Sequence, residues 1–211
     1  MTYIIGVVAQ KGGVGKSTIA RMLAREIEAA DGYRAKIADM DTSQVTNLNW
    51  SKRRANNGYE PAIDVQSFSS VPQAMKSADR ADIFIFDGAP HTSKVTMEIA
   101  RVSDLVVIPT GATRDDLDPA INLARELEEQ GTERHKIVFV LSRLGKAGGL
   151  EEANARKFIE RDGWHCLKNI VEERRAYKNA GDIGHSLTEA SHGLGQKAEA
   201  TAQEILDCLA E

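Results

Sequence analysis

Cysteine is nearly missing from this 211-residue chain: only Cys166 and Cys208 occur. They have neither the paired spacing of a metal site nor the density of a disulfide framework, which suits a reducing compartment. Histidine is also sparse, and His91, His135, His165, His185 and His192 show no metal-ligand spacing. No apolar run is long enough to span a bilayer, and the chain opens on a strand-like segment rather than a leader, so a cytoplasmic location is expected. Positive charge is short too. The net charge of −4 gives no global pull toward nucleic acid, so any such binding must come from a local patch. Residues 199–211 carry four acidic residues and no Lys or Arg, unlike the basic amphipathic helix that lies on a membrane surface. Repeats, low-complexity stretches and Pro/Ser-rich linkers are absent as well.

What remains is an ordinary globular composition, 42% hydrophobic and 27% charged, long enough to bury a full core. One domain spanning 1–211 is expected. Strand-like apolar runs fall near 3–9, 35–39, 63–68, 82–87, 104–109 and 136–141, with a short one at 164–167. Helical patterns lie between them, for instance at 116–130 and 150–161. This alternation predicts an α/β fold, a mostly parallel twisted sheet with helices on both faces. Ligands of such sheets bind beyond the carboxyl ends of the strands.

The densest signal is at 9–18, Ala-Gln-Lys-Gly-Gly-Val-Gly-Lys-Ser-Thr. A β-branched run precedes it, and Ile19, Met22, Leu23 and Ile27 follow at helical spacing. Gly12, Gly13 and Gly15 allow backbone N–H groups to turn inward around an anion, at the positive end of the helix that begins near Lys16. Gly15-Lys16-Ser17 ends the common phosphate-loop pattern, but Gln10 stands at the first glycine position and an extra lysine, Lys11, precedes the Gly12-Gly13 pair. Lys16 is expected on the β- and γ-phosphates and the Ser17 hydroxyl on Mg²⁺.

Two strand ends add carboxylates. Asp39 and Asp41, at i and i+2 in extended chain, point the same way. They either face a phosphate and its metal or open a loop and cap the next helix. Residues 83–87, four apolar residues and Asp87, have the layout in which a carboxylate holds Mg²⁺ directly or through water.

The two-lysine loop resembles the deviant Walker A form of the ParA/MinD superfamily of ATPases, and the resemblance covers essentially the whole chain. It is strongest to the short ParA-type partition ATPases without an N-terminal DNA-reading domain. Gly88-Ala89-Pro90 resembles the family's switch II, and Asn49-Trp50-Ser51-Lys52 follows the acidic loop much as in small plasmid partition ATPases. That loop departs from the family's DxDPQ: the proline is missing and the stretch is one residue longer. The resemblance implies that ATP and Mg²⁺ join two subunits, with Lys11 reaching the partner's nucleotide. Gly12, Gly13, Val14, Gly15, Lys16, Ser17 and Thr18 would hold the nucleotide, Ser17, Asp39 and Asp87 the metal, and Asp41 would orient the attacking water. Arg143 would pack near adenine, or else is a surface arginine after a strand.

The family's basic C-terminal surface corresponds to 168–178, where Lys168, Arg174, Arg175 and Lys178 would meet phosphates of nonspecific DNA. Glu172 and Glu173 dilute that signal, and a solvated helix face reads the same way. Lys146, Arg156, Lys157 and Arg161 look like ordinary helix surface. The resemblance implies a slow ATPase switch, nucleoid-associated, that partitions a plasmid or chromosome with a ParB-like adaptor stimulating hydrolysis. Carriage of another cargo (an organelle or a conjugation complex), a nucleotide-dependent scaffold, and a dethiobiotin-synthetase-like ligase stay open. The absence of cluster cysteines near switch II excludes the nitrogenase iron protein branch.

Overall fold

The computed structural model describes residues 2–90, 94–145, 149–191 and 193–210, so His91, His192 and Lys146 lie outside the described residues. In chain order its main elements are β1 (Tyr3–Val7), α1 (Lys16–Ala29), β2 (Ala35–Asp39), α2 (Thr46–Asn56), β3 (Asp64–Ser67), α3 (Val71–Met75), β4 (Ile83–Asp87) and α4 (Lys94–Val102). There follow β5 (Leu105–Thr110), α5 (Arg114–Glu129), β6 (Ile137–Leu144), α6 (Leu150–Arg161), β7 (His165–Cys166), β8 (Val171–Glu172), α7 (Arg175–Ile183) and α8 (Leu194–Ala210).

The strands form one sheet in the order β3-β2-β4-β1-β5-β6-β7, with β8 also on β6, and every pairing is parallel. Alternation along each strand divides the core. Phe84 and Phe86 of β4, Val106 and Ile108 of β5 and Phe139 of β6 pack on one face with Ile99 of α4, Leu123 of α5 and Ile159 of α6. Ile85, Val107 and Val138 point the other way, onto Leu23 of α1, Trp50 of α2, Tyr177 of α7 and Ile205 of α8. Helices thus cover both faces, as expected, and the predicted strands recur with ends shifted by a few residues. On α1, Ile19, Met22 and Leu23 are fully buried and Ile27 nearly so, each worth about 1.5–3 kcal/mol relative to exposure.

Two features differ from expectation. β8 is an additional two-residue strand, joined to β6 across a register shift between Ser142 and Leu144. Because of it, 168–178 is not one helix face: it contains a turn, β8 and only the first turn of α7. Register is what builds the site. Asp87 is level with Val7 on one side and Asp39 on the other, so three strands end side by side at the edge where the glycine loop begins.

Candidate functional site

The chain leaves β1 at Val7 and enters α1 at Lys16, and the loop between is shaped by left-handed glycines, Gly13 at φ 75° and Gly15 at φ 101°. A side chain at either position would be strained there. The loop closes against β6, where the Ser142 hydroxyl donates to the Val14 carbonyl at 2.6 Å. Its two lysines part company. Lys16 is buried, with 8% of its surface exposed, and its ammonium donates to the Lys11 carbonyl at 3.2 Å. Lys11 turns outward, its side chain 43% exposed, and pairs with Asp116 in the first turn of α5 at 2.8 Å.

A cavity of about 400 Å³ opens beside the loop, lined among others by Gly12, Lys16, Ser17, Asp39, Asp41 and Asp87. The Ser17 hydroxyl donates to Asp87 Oδ2 at 2.6 Å. The Asn47 side-chain amide donates to the same oxygen, also at 2.6 Å. Asp39 Oδ2 accepts the Asn47 backbone N–H at 2.9 Å. Asp41 folds its own loop: its Oδ1 accepts from the Ser43 hydroxyl at 2.6 Å and the Gln44 N–H at 3.1 Å. Arg21, on α1 four residues beyond Ser17, donates from Nε to Asn47 Oδ1 at 2.7 Å and from a terminal nitrogen to the Thr46 carbonyl at 2.9 Å.

Burial strains these charges. It raises Asp87 to about 6, the neighbouring Asp39 adding to the shift while the Ser17 hydrogen bond, Lys16 and Arg21 oppose it. Burial also raises Asp39, and it lowers Lys16 against the pull of Asp87 and Asp41. Asp41 is held below the usual carboxylate range, chiefly by the Ser43 hydroxyl. The effects differ because Asp87 lies inside the fold and Asp41 at its lip.

Residues 5–187 match the family described as the CobQ/CobB/MinD/ParA nucleotide binding domain. The chain belongs to that family. No curated protein sequence matches it. Among solved structures, apo McdA of Cyanothece shares 16% identity at a TM-score of 0.75, covering 98% of this chain and 100% of that one. A plasmid partition protein of Borrelia burgdorferi bound to AMPPNP shares 16% identity at 0.73, covering 100% and 99%. The septum site-determining protein MinD of Pyrococcus horikoshii, complexed with Mg-ADP, also shares 16%, at 0.74, covering 100% and 98%. At such identities the likeness is one of fold, that of the MinD/ParA P-loop NTPases.

Within this family's fold, the residues fit a divalent cation held jointly with phosphate. Asp87 Oδ1 is buried with no hydrogen-bond partner, and its carboxylate already carries the Ser17 hydroxyl on the other oxygen. Among the described residues no group of three or more His, Cys, Asp or Glu is placed to hold a metal by itself. That suits Mg²⁺, which usually takes one or two carboxylates and completes its shell with water and substrate phosphate.

A second cavity, of about 500 Å³, meets the first at Gly13, Gly15, Thr18 and Arg21, and runs past Arg143 to Arg174, Tyr177 and Lys178. Arg143 adopts a left-handed conformation, φ 62°, at the register shift of β6, and its guanidinium lies beside Gly13. Arg174 and Lys178, expected on a DNA-facing surface, therefore line a pocket next to the loop. They are paired as well, Arg174 with the buried Glu172 and Lys178 with Glu173, each at 2.6 Å. Lys168 and Arg175 are exposed, Lys168 in the turn before β8 and Arg175 at the start of α7. Trp50 is buried in the core and donates to the His185 carbonyl at 3.0 Å, and Trp164 is buried too.

Sequence reading missed Arg21, Asn47 and Asp116. The i, i+4 spacing of Ser17 and Arg21 was the available signal for the first. Asp116 is an acidic residue in a first helical turn, a placement that by itself carries no functional signal.

Proposed function

We propose that the chain is an ATP-hydrolysing switch that dimerises on Mg-ATP and moves a cargo with the help of an adaptor protein. The observation that carries this reading is the divergence of the two lysines: Lys16 points into the cavity, while Lys11 stands at its rim, half-exposed, on a partner it can leave. A lysine so placed is suited to reach the phosphates of a second subunit's nucleotide. The loop amides and Lys16 hold the phosphate chain, and the base lies in the adjoining cavity against Arg143. Ser17 and Asp87 hold Mg²⁺, with Asp39 behind them, and the cation supplies charge neutralisation on the β- and γ-phosphates. Asp41 stays ionised and orients the attacking water. Catalysis of this kind rests on positioning and charge stabilisation, so basal turnover is slow until an adaptor acts.

Nonspecific DNA is the surface on which the dimer works, with Lys168, Arg174, Arg175 and Lys178 as its contacts, and the cargo is a plasmid or chromosome. A second reading, the same switch carrying a different cargo without nucleic acid, is favoured by the Glu172–Arg174 and Glu173–Lys178 pairs, which neutralise half of that patch. Size and DNA binding, measured together with ATP, ADP or no nucleotide for wild type and Lys11→Ala, separate them. The partition reading expects an ATP-specific dimer that binds unrelated duplex DNA, with both properties lost in the variant. DNA affinity should fall with salt at a log–log slope of roughly −0.9 per phosphate neutralised. A dimer without DNA binding supports the second reading. A monomer in every state, with Lys11 dispensable, rejects both.

A further inference from the structure

One residue in the site is neither loop, acid nor lysine, and it lies completely inside the fold. Asn47 is 0% exposed, in the first turn of α2. Its backbone N–H holds Asp39, its Nδ2 donates to Asp87 Oδ2, and its Oδ1 accepts from Arg21 Nε at 2.7 Å. The orientation of this amide is settled by its partners. Turned over, it would set its NH₂ against a guanidinium and its oxygen against a carboxylate, two repulsions in place of two charge-assisted hydrogen bonds.

Arg21 enforces that choice from α1. Besides Asn47 it donates to the Thr46 carbonyl, and its guanidinium lies 5.3 Å from the centroid of the Trp50 ring. Trp50 is fully buried, so the guanidinium rests on a fixed wall. The consequence falls on Asp87. With Oδ2 taken by Ser17 and Asn47, the other oxygen is the one left unpartnered and buried. If Ser17 turns its hydroxyl lone pair to a cation, Asn47 still holds Oδ2 and keeps the carboxylate plane from rotating. The residue just before α2 is Val45, a β-branched residue at φ 42°. Such a conformation persists only where the surroundings over-determine it. Arg21 donates to the Thr46 carbonyl and Asp39 accepts the Asn47 N–H, and with the bond from the Val45 N–H to the Asp41 carbonyl these hold the turn.

We infer that Asn47, oriented by Arg21, is a positioning residue for the metal-holding carboxylate: by holding Oδ2 it fixes the plane of the Asp87 carboxylate at the cation site and leaves Oδ1 without a protein partner. This deepens the proposed function and rests on its Mg-nucleotide site. Partners that orient a metal-binding group in this way typically change metal affinity about 10–100-fold when removed.

The test uses the full chain with ADP and Mn²⁺. Free Mn²⁺ is followed by its electron paramagnetic resonance signal, and a fluorescent ADP analogue reports nucleotide affinity separately in EDTA. Asn47→Ala should weaken Mn²⁺ binding to the ADP-loaded protein about 10-fold or more, with nucleotide affinity in EDTA changed less than about 3-fold. Arg21→Met keeps a long unbranched side chain on α1 and removes the fork. It should shift Mn²⁺ affinity in the same direction by a smaller factor, and so guards against a poorly folded Asn47 variant. Mn²⁺ affinity at the wild-type level in both variants overturns the inference. So does a parallel loss of Mn²⁺ and metal-free nucleotide binding in variants that still melt in one transition, since a general packing role predicts it. Wild type that binds no ADP analogue in EDTA would instead reject the underlying nucleotide-site reading.

Discussion

The two cavities that meet at the glycine loop are built in opposite ways. The first is made of one contiguous loop and three strand ends brought level by parallel register, and its buried carboxylates, Asp39 and Asp87, are held by neutral donors, among them Ser17 and Asn47. The second gathers side chains from α1, α2, the end of β6 and the 171–187 segment, and two of its basic groups, Arg174 and Lys178, are paired with acids of that same segment. One is a stressed charge cluster and the other a basic wall that is partly paired. Phosphate and metal require the first kind of site, because uncompensated charge is what a polyanion and a cation relieve. A base requires the second, where planar contact matters more than net charge.

The largest expected effect tests the first cavity. Lys16→Ala should reduce ATP affinity on the order of 100-fold, a loss of about 2.8 kcal/mol at ~1.4 kcal/mol per decade. A titration of wild type and variant with ATP checks this, and retained affinity would show that the buried lysine does not serve the phosphates.

Arg143→Ala sharpens the contrast. It should weaken ATP roughly 10-fold, at about 1.4 kcal/mol per decade, while binding of inorganic triphosphate stays within about 2-fold. Equal losses for both ligands would put Arg143 on the phosphates and erase the division between the cavities.

A pH experiment probes the stress directly. Asp87, raised to about 6 in the fold, binds more protons when folded than unfolded between its ordinary value and about 6, so its contribution to stability falls as pH rises through that window. Above it, the nucleotide-free protein carries the full cost of the buried charge. Asp87→Asn should therefore be more stable than wild type at pH 7.5, by roughly 1–3 kcal/mol. The gap should close as pH falls toward 5, where the wild-type carboxyl is protonated. Urea melts at the two pH values decide it, and a gap that widens on acidification would contradict the assignment.

The smallest effect belongs to the rim. Burial would raise Asp116, but the Lys11 and Thr113 hydrogen bonds outweigh it and hold its carboxyl low. The pair is part-exposed, so Asp116→Asn should cost less than about 1 kcal/mol of stability. By freeing Lys11 it should also tighten the ATP-dependent dimer a few-fold at most, in proportion to that weak pair. Analytical ultracentrifugation with ATP measures this, and a weaker dimer would mean that Asp116 supports Lys11 rather than restraining it.

Legibility followed the reach of each interaction. The strand, loop and helix around Lys16 were readable because glycine spacing, a β-branched run and a 3.6-residue apolar period act within some 25 residues of chain. Asp87 was readable as a strand-ending carboxylate. The place of the basic stretch 168–178 was not legible, because β8 pairs with β6 through an irregular register that no local pattern announces, and so carries Arg174 and Lys178 beside the loop.

By itself, the sequence determined that a parallel sheet presents a glycine loop, two lysines and three aspartates at one edge, since backbone permissiveness and side-chain alternation are local properties. Only the tertiary structure decided which lysine is buried, which carboxylate bears the stress, and that Asn47 and Arg21 join them. Burial and charge pairing arise where segments far apart in the chain pack together, and their strength depends on the low-dielectric interior that packing creates.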